Sequence, residues 1–254
     1  MSSDKIKEFH KKLELARTKP VNVLLEGEQG VGKEYYARLI HEKRAWAKDF
    51  IIFDWECERS CQLRVLDDLI MNQLAGIINL SNKKKNTYFF RRVDLLSSQA
   101  QEKIIDALES EAKRRGLSKS QLHQLNLIAS AEKKNGNGVR CTSLALNPLY
   151  PISEFFPFGI AIPALRQRKE ELFPLMRTIL ESVNKQYNRR VSGFSIEAFS
   201  FLLDYDWPNN VDELRSEIER MVTLTRDNDL VRYQVMSEKL IKHRKVARTE
   251  SFVG

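Results

Sequence analysis

The residues of this chain best placed to do chemistry are Gly27, Glu28, Gln29, Gly30, Val31, Gly32, Lys33 and Glu34. A glycine, four residues, a second glycine and a lysine is the spacing of a phosphate loop. Glycines let backbone N–H groups turn inward as a nest for an anion, and the lysine ammonium reaches the outer phosphates. A magnesium ion beside such a loop ordinarily takes a Ser or Thr hydroxyl from the residue after the lysine, and here that residue is Glu34. Taken alone, Glu34 weakens the case for a bound metal.

Hydrolysis needs a second set of residues. A phosphate-loop hydrolase carries an acidic pair at the end of a neighbouring hydrophobic strand, one acid for magnesium and one to orient the attacking water. The corresponding stretch, TYFFRRVDLL from Thr87 to Leu96, has Arg91 and Arg92 at those positions. A guanidinium neither binds a dication nor accepts a proton at any useful pH. Three placements are open for the arginines: a charged strand end in solvent, a cation near the phosphates in place of magnesium, or a contact with an acidic partner. Asp94 is the nearest acid, but three residues of extended strand would carry it roughly 10 Å away, too far to replace the pair. Slow or absent hydrolysis is the expectation.

Both sets must be held by a scaffold, and the sequence alternates strand and helix signals in the way a parallel sheet requires. Residues 4–17 place Ile6, Phe9, Leu13 and Leu15 near helical spacing, which predicts an entry helix ending before Pro20. VNVLLEG reads as a buried strand leading into the loop, and KEYYARLIHEKRAWA as the helix leaving it. FIIFDWE (Phe50–Glu56) predicts a second buried strand, the stretch from Gln62 a helix, TYFFRRV a third strand and QLNLIASA a fourth. Between the last two, SSQAQEKIIDALESEAKRRG predicts a helix capped by Ser97 or Ser98. Residues 140–162 carry Pro148, Pro151 and Pro157 without a clear period and read as loop and linker. Beyond Pro163 three helical patterns follow, with start signals at Arg168, Ser195 and Asn210 and no obvious strand between them. The predicted organisation is an α/β nucleotide-binding core over 1–165, a small all-helical lid over 166–245 and a tail over 246–254.

Composition bounds the partners. The 42 Lys and Arg exceed the 34 Asp and Glu, giving a formal charge of +8, which mildly favours an acidic partner. The basic residues are scattered, so each short run reads first as a solvated face. Cys57, Cys61 and Cys141 are odd in number and lack a second pair for zinc, so they read as reduced thiols. The N-terminus lacks the apolar core of a signal peptide and no apolar run approaches membrane-spanning length, which predicts a cytoplasmic chain without membrane contact.

These residues resemble a known family. VLLEGEQGVGKEYYARLIH is similar to the nucleotide loop of the AAA+ domain in sigma-54-dependent bacterial transcription activators of NtrC type, whose loop also has Glu after the lysine. The likeness resumes at NTYFFRRVDLLSSQAQEKIIDAL and IPALRQRKEEL, and most specifically at LLDYDWPNNVDELRSEIERMV. It covers residues 5–232 in the family's order. The resemblance implies an AAA+ P-loop core with a parallel sheet flanked by helices, a helical lid, and ATP or ADP as the bound cofactor, with magnesium in question.

The departures are equally specific. The family's strand ends in Asp-Glu where this chain has Arg91 and Arg92; its sensor asparagine falls at Glu132 and its lid sensor arginine at Asp212. Pro148 and Glu154 stand in the region of its arginine fingers, and the stretch from Asp54 to Asn86 lacks its sigma-54-contacting loop. Neither a receiver domain before residue 5 nor the usual DNA-binding helix-turn-helix after Arg232 is expected. The expectation is a module that binds nucleotide through Gly27–Glu34 without efficient hydrolysis and regulates a protein partner or an AAA+ homologue, in transcription among other settings. Direct DNA binding through a dedicated domain is not expected. Two alternatives stay open: an active ATPase activator, and an inactive subunit of a mixed AAA+ assembly with a vestigial pocket. Within the lid, Trp207 and Pro208 read as packing, and Asn209, Asn210 and Asp212 as helix-capping types. Phe155, Phe156 and Phe158 read as core beneath the lid rather than a docking patch.

Overall fold

A parallel sheet of five strands forms around the strand that carries the glycine loop. The computed structural model describes residues 2–44, 47–55, 59–69, 72, 74–78, 85–132 and 151–243. The sheet is built from β1 (Val23–Gly27), β2 (Ala47–Asp54), β3 (Lys85–Arg91), β4 (Leu127–Glu132) and β5 (Phe158–Ala161), in the order β2-β3-β4-β1-β5. Every pairing is parallel, and β1 lies between β4 and β5, with Leu24 opposite Ala129 on one side and Gly159 on the other. Chain order is broken between β4 and β1, and open α/β sheets bind ligands outside the carboxyl ends of strands at such a break.

The flanking helices follow the apolar spacing. In α1 (Ser2–Thr18) the buried positions are Ile6, Phe9, Leu13 and Ala16, so Ala16 takes the inward position and the expected Leu15 does not. The ring of Phe9 meets Tyr36 of α2 (Lys33–Lys43) edge-on at 5.1 Å. Between β2 and β3 lie α3 (Arg59–Asp68) and the single turn α4 (Leu74–Ile77). Ser97 caps α5 (Ser98–Arg114), its side chain accepting from the Ala100 N–H at 3.3 Å. A further short helix, α6 (Lys119–Leu122), precedes β4.

Two strand expectations are corrected. Among the described residues β2 is an edge strand paired with β3; it begins at Ala47, before the expected Phe50, and leaves Ile52 exposed where a buried strand was expected over Phe50–Glu56. β5 lies inside the stretch expected to be loop and linker: its four residues pair with β1, an existing strand edge that supplies the ladder a short segment cannot specify alone. Phe155 and Phe156 join the same core as Phe90 and Ile152, so they fill the sheet's own core. Phe90 and Phe156 meet edge-on at 6.4 Å. Cys57, Cys141 and Pro148, residues 133–150 and the tail lie outside the described residues, as does the side chain of Cys61.

A buried polar layer ties down the amino ends of the strands. Asn22, just before β1, donates to the carbonyls of Leu122 and Phe155 at 2.7 and 2.9 Å and accepts from the Leu127 N–H at 3.1 Å. Arg44 is 1% exposed and donates to the Ala16 and Val21 carbonyls and to Asn126 Oδ1. Burial pulls this guanidinium down to about 10, so it remains charged at neutral pH.

Contacts group residues 3–28 and 32–162 in one unit, and residues 163–254 together with Gln29–Val31 in a second. The second unit is built from α7 (Leu172–Gln186), α8 (Ile196–Asp204) and α9 (Asn210–Leu224). Met176, Ile179 and Val183 of α7 pack in one core with Leu202, Trp207, Leu214, Ile218 and Met221. Ser195 caps α8 through the Ala198 N–H at 3.1 Å, as its position in the sequence indicates. The unit is not wholly helical: β6 (Gly193–Phe194) and β7 (Leu230–Val231) form a two-residue parallel ladder, too short to leave a periodic signal.

Candidate functional site

The loop Gly27–Lys33 runs from the buried end of β1 into the first turn of α2. Gly30 and Gly32 have φ of +72° and +93°, in the left-handed region where side chains are strained. An alternation of this kind lets successive backbone amides converge on an anion. Gly32 precedes Lys33, whose amide begins α2 among the N–H groups that have no helical partner, where the helix dipole favours negative charge.

Lys33 folds back over the loop. Its Nζ donates to the carbonyls of Gly27 and Glu28 at 3.0 and 2.8 Å, which holds the ammonium within the curve of the chain. Glu34 points along the helix, where its Oε1 accepts from Arg38 Nη2 at 2.8 Å, and Arg38 in turn lies 4.8 Å from the centre of the Phe50 ring. Gln29 is exposed and Val31 is buried.

The carboxyl ends of β2, β3 and β4 bring acids and arginines together. Arg91 ends β3 and bonds Asp54 of β2 at 2.9 Å, both side chains being about two-fifths exposed. Arg92 has left the strand, with φ of 57°, and its N–H donates to Ser130 Oγ at 3.1 Å. Its Nη2 lies 2.9 Å from Asp94 Oδ2 and 2.8 Å from Glu132 Oε2, while the Glu132 N–H donates to Asp94 Oδ1 at 3.1 Å.

This arrangement corrects the expected position of Asp94. The strand does not continue; Val93–Leu95 is a 3₁₀ turn that brings Asp94 back onto the guanidinium two residues before it. Both arginines are therefore engaged by carboxylates of the same chain. Asp54, Asp94 and Glu132 each face an arginine, and Glu34 faces Arg38. Among the described residues no group of three His, Cys, Asp or Glu could hold a metal ion.

The signature around Trp207 divides between packing and reach. Trp207 is 1% exposed, and its Nε1 donates to the Leu202 carbonyl at 2.9 Å, so it packs the helical core as expected. Asn209 stands at the N-cap of α9 without a side-chain cap bond, which corrects its reading as a capping side chain. Asn210 is also no cap. It is fully buried, and its Oδ1 accepts from the Leu165 N–H at 2.8 Å while its Nδ2 donates to the Gln29 carbonyl at 2.8 Å. Asp212 is exposed on the first turn of α9. Sequence reasoning missed Arg168 as well: it is 4% exposed, with Nη2 donating to the Val31 carbonyl at 2.9 Å and Nη1 3.1 Å from Glu171.

Comparison with known proteins is consistent with this architecture. The family described as "Sigma-54 interaction domain" matches residues 1–133, more than half of the chain. The chain belongs to this family. The "AAA+ ATPase lid domain" family matches residues 166–251 of the same chain. The chain is 30% identical over 228 residues to the phenol regulator MopR of Acinetobacter guillouiae, covering 84% of this chain and 39% of that protein. It is 28% identical over 225 residues to the transcriptional regulatory protein XylR of Pseudomonas putida, covering 83% of this chain and 38% of that one. The chain thus spans about two-fifths of the length of these relatives. Among solved structures, NtrX from Brucella abortus in complex with ADP is similar in fold, with a TM-score of 0.66 at 17% identity, over 94% of this chain and 54% of that one. No helix among the described residues of this sigma-54 interaction domain is long and apolar enough to cross a membrane.

Proposed function

We propose that this sigma-54 interaction domain binds ATP or ADP through Gly27, Glu28, Gln29, Gly30, Val31, Gly32, Lys33 and Glu34, does not hydrolyse ATP efficiently, and acts as a regulatory or interaction module in transcription. The observation that carries the reading is the pairing of Arg92 with Asp94 and Glu132 beside an intact phosphate loop. The loop supplies what phosphate binding requires: left-handed glycines, a lysine and a helix start. Among the described residues at the ends of β2, β3 and β4, the acids Asp54, Asp94 and Glu132 each face a guanidinium, which opposes their holding a metal or orienting a water. Nucleotide binding without turnover can still bias a two-state protein, provided its two states differ in affinity.

The partner in this reading is a protein, an AAA+ homologue among the candidates. The test is titration calorimetry with ATP and ADP, with and without magnesium, alongside a phosphate-release assay. The expected result is binding that survives magnesium removal and is abolished by Lys33→Ala, with phosphate release at background. No binding by the intact chain sinks the nucleotide reading, and Lys33-dependent turnover sinks the non-hydrolysing one.

A further inference from the structure

Three consecutive carbonyls of the phosphate loop are each held by a donor of the helical unit. Gln29 O accepts from Asn210 Nδ2 at 2.8 Å, Gly30 O from the Val211 N–H at 2.9 Å and Val31 O from Arg168 Nη2 at 2.9 Å. These three residues belong by their contacts to that same unit. The fit is close: a Cβ on Gly30 would lie 2.1 Å from the Asn209 carbonyl oxygen.

Asn210 is built for this place. It has a φ of 52°, a left-handed conformation that Asn tolerates better than most residues. Its amide is used at both ends while fully buried, so neither partner can be exchanged for water without cost. The carbonyl and N–H of a trans peptide group point in opposite directions. Donors that fix successive carbonyls on one side therefore aim the following amides to the other. Amides fixed in advance lose less freedom when an anion arrives.

We propose that Asn210 is a positioning residue for phosphate: with Arg168 and the Val211 amide it sets the direction of the loop's N–H groups and couples loop occupancy to the start of α9. This rests on the nucleotide reading above. Coupling is reciprocal, so a phosphate that orders Gln29–Val31 also tightens the bonds that α9 and Arg168 make to them.

Asn210→Asp separates this role from packing, because it keeps the side-chain shape and the acceptor for Leu165 while removing the donor to Gln29. Binding of a fluorescent ATP analogue should weaken about tenfold or more in this variant, the worth of one buried hydrogen bond. Arg168→Gln should weaken it in the same direction. In the unmodified chain, saturating ATP should slow hydrogen exchange at the Val211 amide, and this slowing should vanish in Lys33→Ala. Unchanged affinity in Asn210→Asp, with or without a loss of stability, overturns the positioning role and leaves the nucleotide reading standing. A wild-type chain that binds no analogue overturns both. Where Asn210→Asp does not fold, the exchange measurement decides, and a Val211 amide indifferent to ATP overturns the proposal.

Discussion

Arg92 Nη2 lies 2.8 Å from Glu132 Oε2, joining the end of β3 to the end of β4 through a guanidinium that also bonds Asp94. All three side chains are at most 18% exposed, so solvent screens the cluster only weakly. Removing the cation leaves two close carboxylates without their guanidinium, although the Glu132 N–H still donates to Asp94 Oδ1. Arg92→Ala is expected to lower stability by about 1–3 kcal/mol, less than a fully buried pair because water still reaches the edge of the cluster. Urea unfolding measures it, and a variant as stable as the parent would show that the arginine is not structural. The double change Arg92→Ala with Glu132→Gln should recover part of the loss, since it removes one of the two uncompensated charges while the backbone N–H of residue 132 still donates to Asp94 Oδ1.

Arg44 is predicted to matter more, although it lies at the opposite ends of the strands from the loop. It carries its charge in the core, held by the Ala16 and Val21 carbonyls and Asn126 Oδ1. Arg44→Met fills much of the volume but strands those acceptors, and should cost about 2–4 kcal/mol. The urea midpoint reads this directly. Arg44→Lys should recover only part of the stability, because one ammonium cannot span acceptors that the planar fork reaches together.

The loop was the most legible part of this site in the sequence, because phosphate-loop spacing is local and its glycines announce their own backbone needs. The strand before it and the helix after it were equally plain, since β1 is buried on both faces and reads as a continuous apolar run. What the sequence hid depended on chain direction after a strand ends. Extending TYFFRRVDLL as strand puts Asp94 out of reach, whereas the left-handed Arg92 turns the chain and puts Asp94 in hand. A non-glycine residue with positive φ carries no reliable signature, and nothing in the spacing pointed to it. β5 was hidden for a related reason: four residues add to β1 because a paired edge is waiting, not because they propose a strand themselves. Asn210 looked like a cap because Asn is a capping type, and its true partners, Gln29 and Leu165, are distant in sequence.

His41 gives the chain an acid-side weakness. It is partly buried on α2, with Nδ1 2.8 Å from Thr87 Oγ1, and burial lowers its pKa below the ordinary 6.5. Glu42 and Asp49 pull the other way, while Arg38 and Arg44 add to the lowering. The folded chain thus holds fewer protons here than the unfolded chain between its own pKa and 6.5. Stability from this residue is complete above that window and is lost as the pH falls through it. The urea midpoint should drop between about pH 7.5 and about pH 5.5 by more in the parent than in His41→Asn. Equal drops would assign the acid sensitivity elsewhere.

Gly30 and Gly116 form a matched pair that separates backbone strain from contact. Both have positive φ, +72° and +66°, but a Cβ on Gly116 meets nothing within 4 Å while one on Gly30 lies 2.1 Å from the Asn209 carbonyl oxygen. Gly116→Ala should therefore show the conformational cost alone, about 1–2 kcal/mol. Gly30→Ala adds a backbone collision that no side-chain rotation relieves, so its loss of stability should exceed that of Gly116→Ala. It should also abolish binding of the fluorescent ATP analogue, because the three loop carbonyls cannot keep their donors once Asn209 is pushed away. Gly116→Ala should bind as the parent does. Equal thermal midpoints for the two variants, or unimpaired binding by Gly30→Ala, would mean that the seat of Gly30 against Asn209 is not kept in solution.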